Sequence, residues 1–284
     1  MGSRAVDIAR FIATHPLTRD RKLRALARVV HWQIKSRLRS ELIVPWIGGM
    51  RLAARRGMTG ITGNIYAGLH EFNDMAFVAH FLRAGDVFAD IGANVGSYTL
   101  LASGVCRAQT VAFEPDPGTF AALLRNIAIN DLNALVTARN EALGPKPGVA
   151  ALTLGLDTLN RIVEASAAPT QTVSMETLDR ALGTQSPVLL KLDVEGFELS
   201  VLRGAERTLA DPGLKAIVTE DRSPAVTDLL QRAGFRERRY DPFKRHLGPP
   251  APGAGGNALF ARDEPFVQQR LRDAVAIQVL GKSL

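Results

Sequence analysis

Residues 87–99 read VFADIGANVGSYT, and this stretch limits the fold more than any other. An apolar run closes around Asp90, Gly92 and Gly96 follow, and the chain continues with helix-compatible residues. Glycine permits the sharp turn and lets a ligand approach the backbone. A helix that starts here offers N–H groups without intrahelical partners. In open α/β sheets, ligands bind outside the carboxyl ends of such strands, where strand order reverses.

The alternation continues downstream. TVAFEP, LVTARNEAL, PVLLKLDVEG and LKAIVTED read as strands, while PGTFAALLRNIAIN, ELSVLRGAERTLA and a segment from about Pro224 to Ala233 read as helices. VAALTL and QTVSM read as extra strands around a polar loop. FRERRYD and NALFARD close the chain, with the flexible loop GPPAPGAGG before the last of them. Strands separated by helices predict an α/β protein with a mostly parallel sheet, helices on both faces and an antiparallel strand near the end.

Net charge is uneven. Residues 1–60 carry 13 Lys/Arg against Asp7, Asp20 and Glu41, a net +10, whereas the rest carries 22 basic and 25 acidic residues, a net −3. The basicity therefore belongs to an N-terminal extension, residues 1–60, and not to the body, residues 61–284. Within residues 19–39, Leu23, Leu26, Ala27, Val30, Ile34 and Leu38 recur at helical spacing, with Arg21, Lys22, Arg24, Arg28, Lys35 and Arg37 on the remaining arc. Such a helix either packs its apolar stripe on the body or meets an acidic membrane surface. LIVPWIGGMRLAA reads as a hairpin turning at Gly48-Gly49, and GMTGITGNIYAGLHEF as a glycine-rich loop able to line a site. Cys106, the single cysteine, excludes an intramolecular disulfide and reads as a buried, inert thiol. No apolar run is long enough to span a membrane, and the N-terminus lacks a signal-peptide core. The expected location is cytoplasmic, with peripheral contact at the inner membrane face through residues 19–39 if the helix meets lipid.

The turn itself is D-x-G-x-N-x-G, not the G-x-G-x-x-G of dinucleotide sites. The Asp90 carboxylate would repel a pyrophosphate but suits a ligand with a cationic centre and an α-amine, whose carboxylate meets the backbone N–H groups; Asn94 sits inside the turn. S-adenosylmethionine has that charge pattern. Glu114 follows Asp90 by 24 residues at the end of the next strand, the spacing of an acid that takes ribose hydroxyls. Asn140, Glu141 and Ala142 end the third strand, where an adenine would lie. Asp193, Glu195 and Glu198 cluster at the carboxyl end of the fourth strand, with Lys191 on the same face as Asp193. They could remove a proton from a hydroxyl, orient the donor, or hold a divalent cation through Asp193 and Glu195.

DIGANVGSYTLLAS, AFEPDPGTFAALLRNIAIN, NEALG and LLKLDVEGFELSVLRGA, in this order, resemble the FkbM family of S-adenosylmethionine-dependent methyltransferases. The resemblance covers about Ile65 to Asp263 and implies a Rossmann-like class I fold with a seven-stranded sheet. It implies that Asp90, Gly92, Asn94 and Gly96 form the methionine-side loop, that Glu114 holds the ribose, and that Asn140 to Ala142 flank the adenine. Asp193 and Glu195 would face the methyl group. GLHEF would supply Glu71 as a cofactor contact and His70 as a reserve base. Tyr240, Arg245 and His246 would shape the acceptor pocket, with His246 a further candidate base. The implied reaction is O-methylation of a sugar, glycan or natural-product hydroxyl. An NAD-dependent oxidoreductase and a nucleic-acid-binding or RNA-modifying protein are the rivals. The acid in the turn opposes the first, and the absence of an aromatic stacking platform opposes the second. The sequence leaves the oligomeric state unread.

Overall fold

The computed structural model describes residues 2–153, 162–163, 170–250 and 256–284. Most of the polar loop between VAALTL and QTVSM, and residues 251–255 of the Gly/Pro loop, lie outside the described residues. The chain opens with α1 (Gly2–Thr14), α2 (Lys22–Leu38), β1 (Leu42–Pro45), β2 (Arg51–Ala54), α3 (Thr59–Ala67) and α4 (Phe72–Phe81). The body follows as β3 (Val87–Ile91), α5 (Ser97–Leu100, running into a π turn over Leu101–Val105), β4 (Gln109–Phe113), α6 (Pro117–Ile129) and β5 (Val136–Arg139). Next come β6 (Ala142–Leu143), β7 (Gly148–Thr153), β8 (Ile162–Val163), β9 (Thr170–Glu176), α7 (Leu178–Leu182), β10 (Leu189–Leu192), α8 (Glu198–Arg203) and α9 (Glu206–Ala210). The chain ends with β11 (Ala216–Thr219), α10 (Pro224–Arg232), β12 (Arg236–Asp241), β13 (His246–Gly248), β14 (Ala258–Ala261), α11 (Glu264–Arg272), β15 (Gln278–Val279) and β16 (Lys282–Ser283).

The main sheet runs β13-β12-β14-β11-β10-β3-β4-β5. Strands β5, β4, β3, β10 and β11 are parallel, and β14 runs against both β11 and β12. Strand order reverses between β3 and β10, so their carboxyl ends flank a crevice. Among the described residues the sheet has eight strands, not seven. The addition is β13, an edge strand folded back on β12; its three residues are too few to show an alternating pattern. Period-2 packing explains the apolar runs: Leu189 faces the core under α4 and α11, and Leu190 the core under α8 and α10. Lys191 therefore shares Leu189's face. A smaller sheet, β6-β9-β7-β8, stands beside the crevice. LVTARNEAL thus divides between two sheets, β5 in the main one and β6 in the smaller.

The hairpin forms as read, with Pro45 opposite Arg51 and both turn glycines at positive φ. Two other readings change. GMTGITGNIYAGLHEF is not a loop but contains α3; a Cβ on Gly63 would stand 2.4 Å from the His70 ring, so this glycine serves packing. In α2, the face that packs is Ala25, Val29, Trp32 and Ser36, while the stripe of Leu23, Leu26, Val30, Ile34 and Leu38 points to solvent. Trp32 offers the largest apolar area to bury, and the Arg28 guanidinium fixes the orientation by donating to the Tyr66 carbonyl at 2.7 Å.

Gly92 joins β3 to the far side of the crevice. Its φ is +77°, and a Cβ there would stand 1.8 Å from the Asp193 carbonyl oxygen, which is backbone and cannot swing away. Gly49 has a similar φ of +81° but open space around it. Gly49→Ala should cost only the left-handed penalty of about 1–2 kcal/mol. Gly92→Ala should cost about 3 kcal/mol or more, because steric displacement adds to it. Urea unfolding of the two variants checks this; equal costs would contradict the close approach.

Candidate active site

A cavity of about 360 Å³ opens at the carboxyl ends of β3, β4, β10 and β11, where strand order reverses. Among the described residues, its wall gathers carboxyl groups, Glu71, Asp90, Glu114, Asp116, Glu141, Asp193, Glu195 and Glu220, against the single ammonium of Lys191 and the ring of His70. Phe113, Ala142, Leu143, Leu152 and Ile162 supply an apolar side. A cavity of this character suits a cationic ligand with one flat apolar part.

Its floor is a buried charge network. Lys191 lies directly opposite Asp90 in the β10–β3 ladder and is 1% exposed. Its Nζ donates to Asp193 Oδ2 at 2.6 Å and sits 4.7 Å from the centre of the Tyr98 ring. Burial alone would lower the pKa of this ammonium, but Asp193, Glu71 and Asp90 outweigh it and hold Lys191 charged. Asp193 shows the mirror image: burial would raise it, yet Lys191 and a hydrogen bond from Glu220 keep it below the usual carboxylate range. Glu220, at the tip of β11, is pushed up to about 8 by burial, by that hydrogen bond and by the Asp193 charge. The two carboxyls therefore share one proton near neutral pH, because like charges at this distance resist joint ionisation.

The β4 side of the cavity is built from turns. Glu114 Oε2 accepts the Asn94 N–H and Oε1 accepts the Asp116 N–H, both at 2.9 Å. Each oxygen retains a lone pair, so the carboxyl can take two vicinal ribose hydroxyls. Burial raises Glu114 to about 7. Asp90 accepts from Thr99 Oγ1 at 2.6 Å, and burial raises it to about 6. Glu71 accepts from the Tyr98 hydroxyl at 2.8 Å and from Asn257 Nδ2 at 3.0 Å, which ties the β14 end of the sheet to the cavity. Behind it, burial and the Glu71 charge push Asp74 up to about 7.

The residues singled out from sequence divide as follows. Glu71, Asp90, Gly92, Asn94, Glu114, Glu141, Ala142, Asp193 and Glu195 converge on the cavity, and His70 stands on its wall with its ring against Phe11. Gly96 does not line it: it caps α5 at φ +94°. Asn140 is exposed and acts one step back, donating to the carbonyls of Glu114 and Pro115 and so fixing the turn that carries Glu114. Glu198 is buried behind the wall and accepts the Val194 N–H. Tyr240, Arg245 and His246 do not line the cavity. The Tyr240 hydroxyl is buried against His80 at 2.6 Å, Arg245 donates to the Leu284 carbonyl, and His246 lies on edge strand β13. Cys106 is half-buried, and burial lifts its thiol to about 12, as an inert thiol requires. Glu220, Asp74 and Asn257 escaped the sequence reading. Glu220 had a signal, an acid at a strand tip; Asn257 had none, since it meets Glu71 across 186 residues.

Asp193, Glu195 and Glu220 place carboxylate oxygens within 4.8 Å of one another. Lys191 already supplies a positive charge to Asp193 at the base of this group.

Glu114, Asp74 and Glu220 carry folded pKa values above their unfolded ones, so the folded state holds more protons and loses stability as pH rises through them. His15 and His80, whose pKa values burial lowers, oppose this while an unfolded imidazole keeps part of its proton, up to about pH 7.5, but the three raised carboxyls outweigh them. The thermal midpoint of the ligand-free protein should therefore fall from about pH 6.5 to about pH 8.5. A flat or rising midpoint, followed by differential scanning fluorimetry, would contradict the raised carboxyls.

The chain is similar to known methyltransferases. A hexuronic acid methyltransferase, AglP, from Haloferax volcanii is 27% identical over 129 residues, covering 44% of this chain and 52% of its own length. The methyltransferase sdnD of Sordaria araneosa is 29% identical over 208 residues, covering 58% of this chain and 79% of its own. A solved FkbM methyltransferase from Methylobacillus flagellatus aligns with a TM-score of 0.44 at 17% identity, over 71% of this chain and 52% of that one. The chain thus spans about half the length of the archaeal relative and of that structure. Residues 90–237, just over half of the chain and the segment that holds most of the cavity, match the methyltransferase FkbM domain; the chain belongs to the FkbM methyltransferase family.

Proposed function

We propose that this protein is an S-adenosylmethionine-dependent O-methyltransferase whose acceptor is a hydroxyl on a sugar, glycan or natural product. The observation that carries the reading is the charge of the cavity: eight carboxyl groups and one ammonium line a single pocket at the switch point. That set attracts a sulfonium and an α-amine, and it repels the pyrophosphate of a dinucleotide and the backbone of a nucleic acid. When bound, S-adenosylmethionine supplies a methyl group already activated by the positive sulfur.

The chain's own residues supply the rest. Glu114 takes the ribose hydroxyls, Asp90 and Glu71 lie where an amine would sit, and Phe113, Leu143 and Ile162 exclude water from the adenine. At the far wall, the Asp193–Glu220 pair receives the proton of the acceptor hydroxyl. Lys191 lowers the basicity of Asp193, so Asp193 alone is a weak base. Once the proton on Glu220 is lost, the pair has both the charge and the free lone pairs to accept another. Lys191 holds the positive charge at this spot, and the reaction is assigned no resident divalent ion. The relatives lend support to sugar chemistry through the hexuronic acid methyltransferase.

Transfer of labelled methyl from S-adenosylmethionine to a panel of neutral glycosides and uronates tests the reading. Asp193→Asn should lower kcat by about 10²–10⁴ while S-adenosylhomocysteine binding stays within a few-fold. For the wild type, kcat/KM should rise with pH and level off above about 8, and Glu220→Gln should remove that rise. EDTA should leave turnover unchanged. Normal turnover in Asp193→Asn would remove the pair from the chemistry.

A further inference from the structure

The N-terminal helix α2 presents a face that the fold does not use. Leu23, Leu26, Val30, Ile34 and Leu38 are all exposed, Leu23 by 83% and Leu38 by 78%. At about 100° per residue these side chains, with Ala27, fall on one arc opposite the buried row of Ala25, Val29, Trp32 and Ser36. The stripe is not a by-product of poor packing, because the helix is anchored by its other face. Arg24, His31 and Lys35 run along one edge of the stripe and Lys22 and Arg37 along the other, all exposed, and the helix contains no acidic residue. Among the described residues, none of Lys22, Arg24 and Lys35 is paired with a carboxylate. An apolar centre with cationic margins is the arrangement by which a helix lies in a bilayer interface, its side chains in the acyl boundary and its cations at anionic headgroups.

Two further features favour lipid. A cavity of about 590 Å³ opens between α2 and β1, along the edge formed by Arg28, His31 and Lys35. Trp32, Trp46 and Val44 stand in its wall, so an apolar recess with basic residues at its margin adjoins the stripe. The like charge of both margins opposes the alternative of a second copy, since two α2 helices laid face to face would bring lysines and arginines together. Nucleic acid is disfavoured by the stripe itself, whose centre offers phosphates only aliphatic carbon.

We propose that α2 docks the protein on an anionic phospholipid bilayer, with the Leu23–Leu38 stripe inserted at the interface and Lys22, Arg24, Lys35 and Arg37 on the headgroups. This inference is independent of the methyl-transfer reading, because docking is measured without cofactor or acceptor. The experiment is co-sedimentation of the full chain with vesicles of phosphatidylglycerol and phosphatidylcholine in equal parts, against phosphatidylcholine alone. Two variants accompany the wild type: Leu23→Asn with Val30→Asn and Ile34→Asn, and Lys22→Gln with Arg24→Gln and Lys35→Gln. All six positions are exposed, and circular dichroism confirms that the variants fold.

The wild type should partition onto anionic vesicles at least about tenfold better than onto neutral ones, and added salt should weaken the binding. The charge variant should lose about tenfold or more, and the stripe variant should fail to bind even at low salt. Equal partition onto the two vesicle types, or unchanged binding by the stripe variant, would overturn the proposal. So would a concentration-dependent dimer abolished by the stripe substitutions, which would give the face to a second copy, or salt-steep binding of generic RNA with no vesicle binding, which would give it to nucleic acid.

Discussion

The site depends on one buried ammonium. Lys191 stands in a strand buried along its whole length, 1% exposed, with Asp90 directly opposite it and Asp193 bonded to its Nζ. A single cation so deeply buried is costly unless paired and hydrogen-bonded. Here the pairing is over-supplied. Lys191 holds Asp193 ionised, the Asp193 charge helps keep Glu220 protonated, and Glu71 and Asp90 share what remains of the positive charge. Among the described residues carboxyls outnumber cations in the cavity wall, and a negative field of this kind suits a cationic ligand. Removing Lys191 would leave several buried acids without a counter-charge, so its role is at once structural and electrostatic.

Much of this was legible in the sequence because it is local. The D-x-G-x-N-x-G turn, the acid ending the second strand and the D-x-E-G-x-E run each lie within a strand and the turn after it, and period-2 geometry places Lys191 beside Asp193 without a structure. Distant partners were not legible. Asn257 reaches Glu71 across 186 residues, and Tyr98 meets both Glu71 and Lys191 only because α5 turns back over the sheet. Glycine misleads in one place: Gly60 and Gly63 look like loop residues, yet both lie inside α3, where the absence of a side chain on Gly63 leaves room for the His70 ring. Asn140 looked like an adenine contact because strand ends carry ligands; the turn between β5 and β6 directs it back to the Glu114 carbonyl.

The case of α2 shows a different limit. Its sequence has two helical rows that could be buried, one of Leu and Ile, the other built on Ala25, Val29, Trp32 and Ser36. Periodicity shows that a helix is amphipathic but not which row the body accepts. The less aliphatic row is buried, with Trp32 in the core and Arg28 tied to the Tyr66 carbonyl. The protein therefore separates its charges in space, with basic groups around an exposed apolar helix and acidic groups around an enclosed cavity. A membrane-docked enzyme with a cationic cofactor would need that division.

A negative cavity should select a cationic nucleoside over a dinucleotide. Calorimetric titration of the protein with S-adenosylmethionine, S-adenosylhomocysteine and NAD⁺ tests it most directly. Binding of both adenosyl ligands and none of NAD⁺ is the expected result. Binding of NAD⁺ in preference to the adenosyl ligands would contradict it, because a pyrophosphate would then be sitting among eight carboxyl groups.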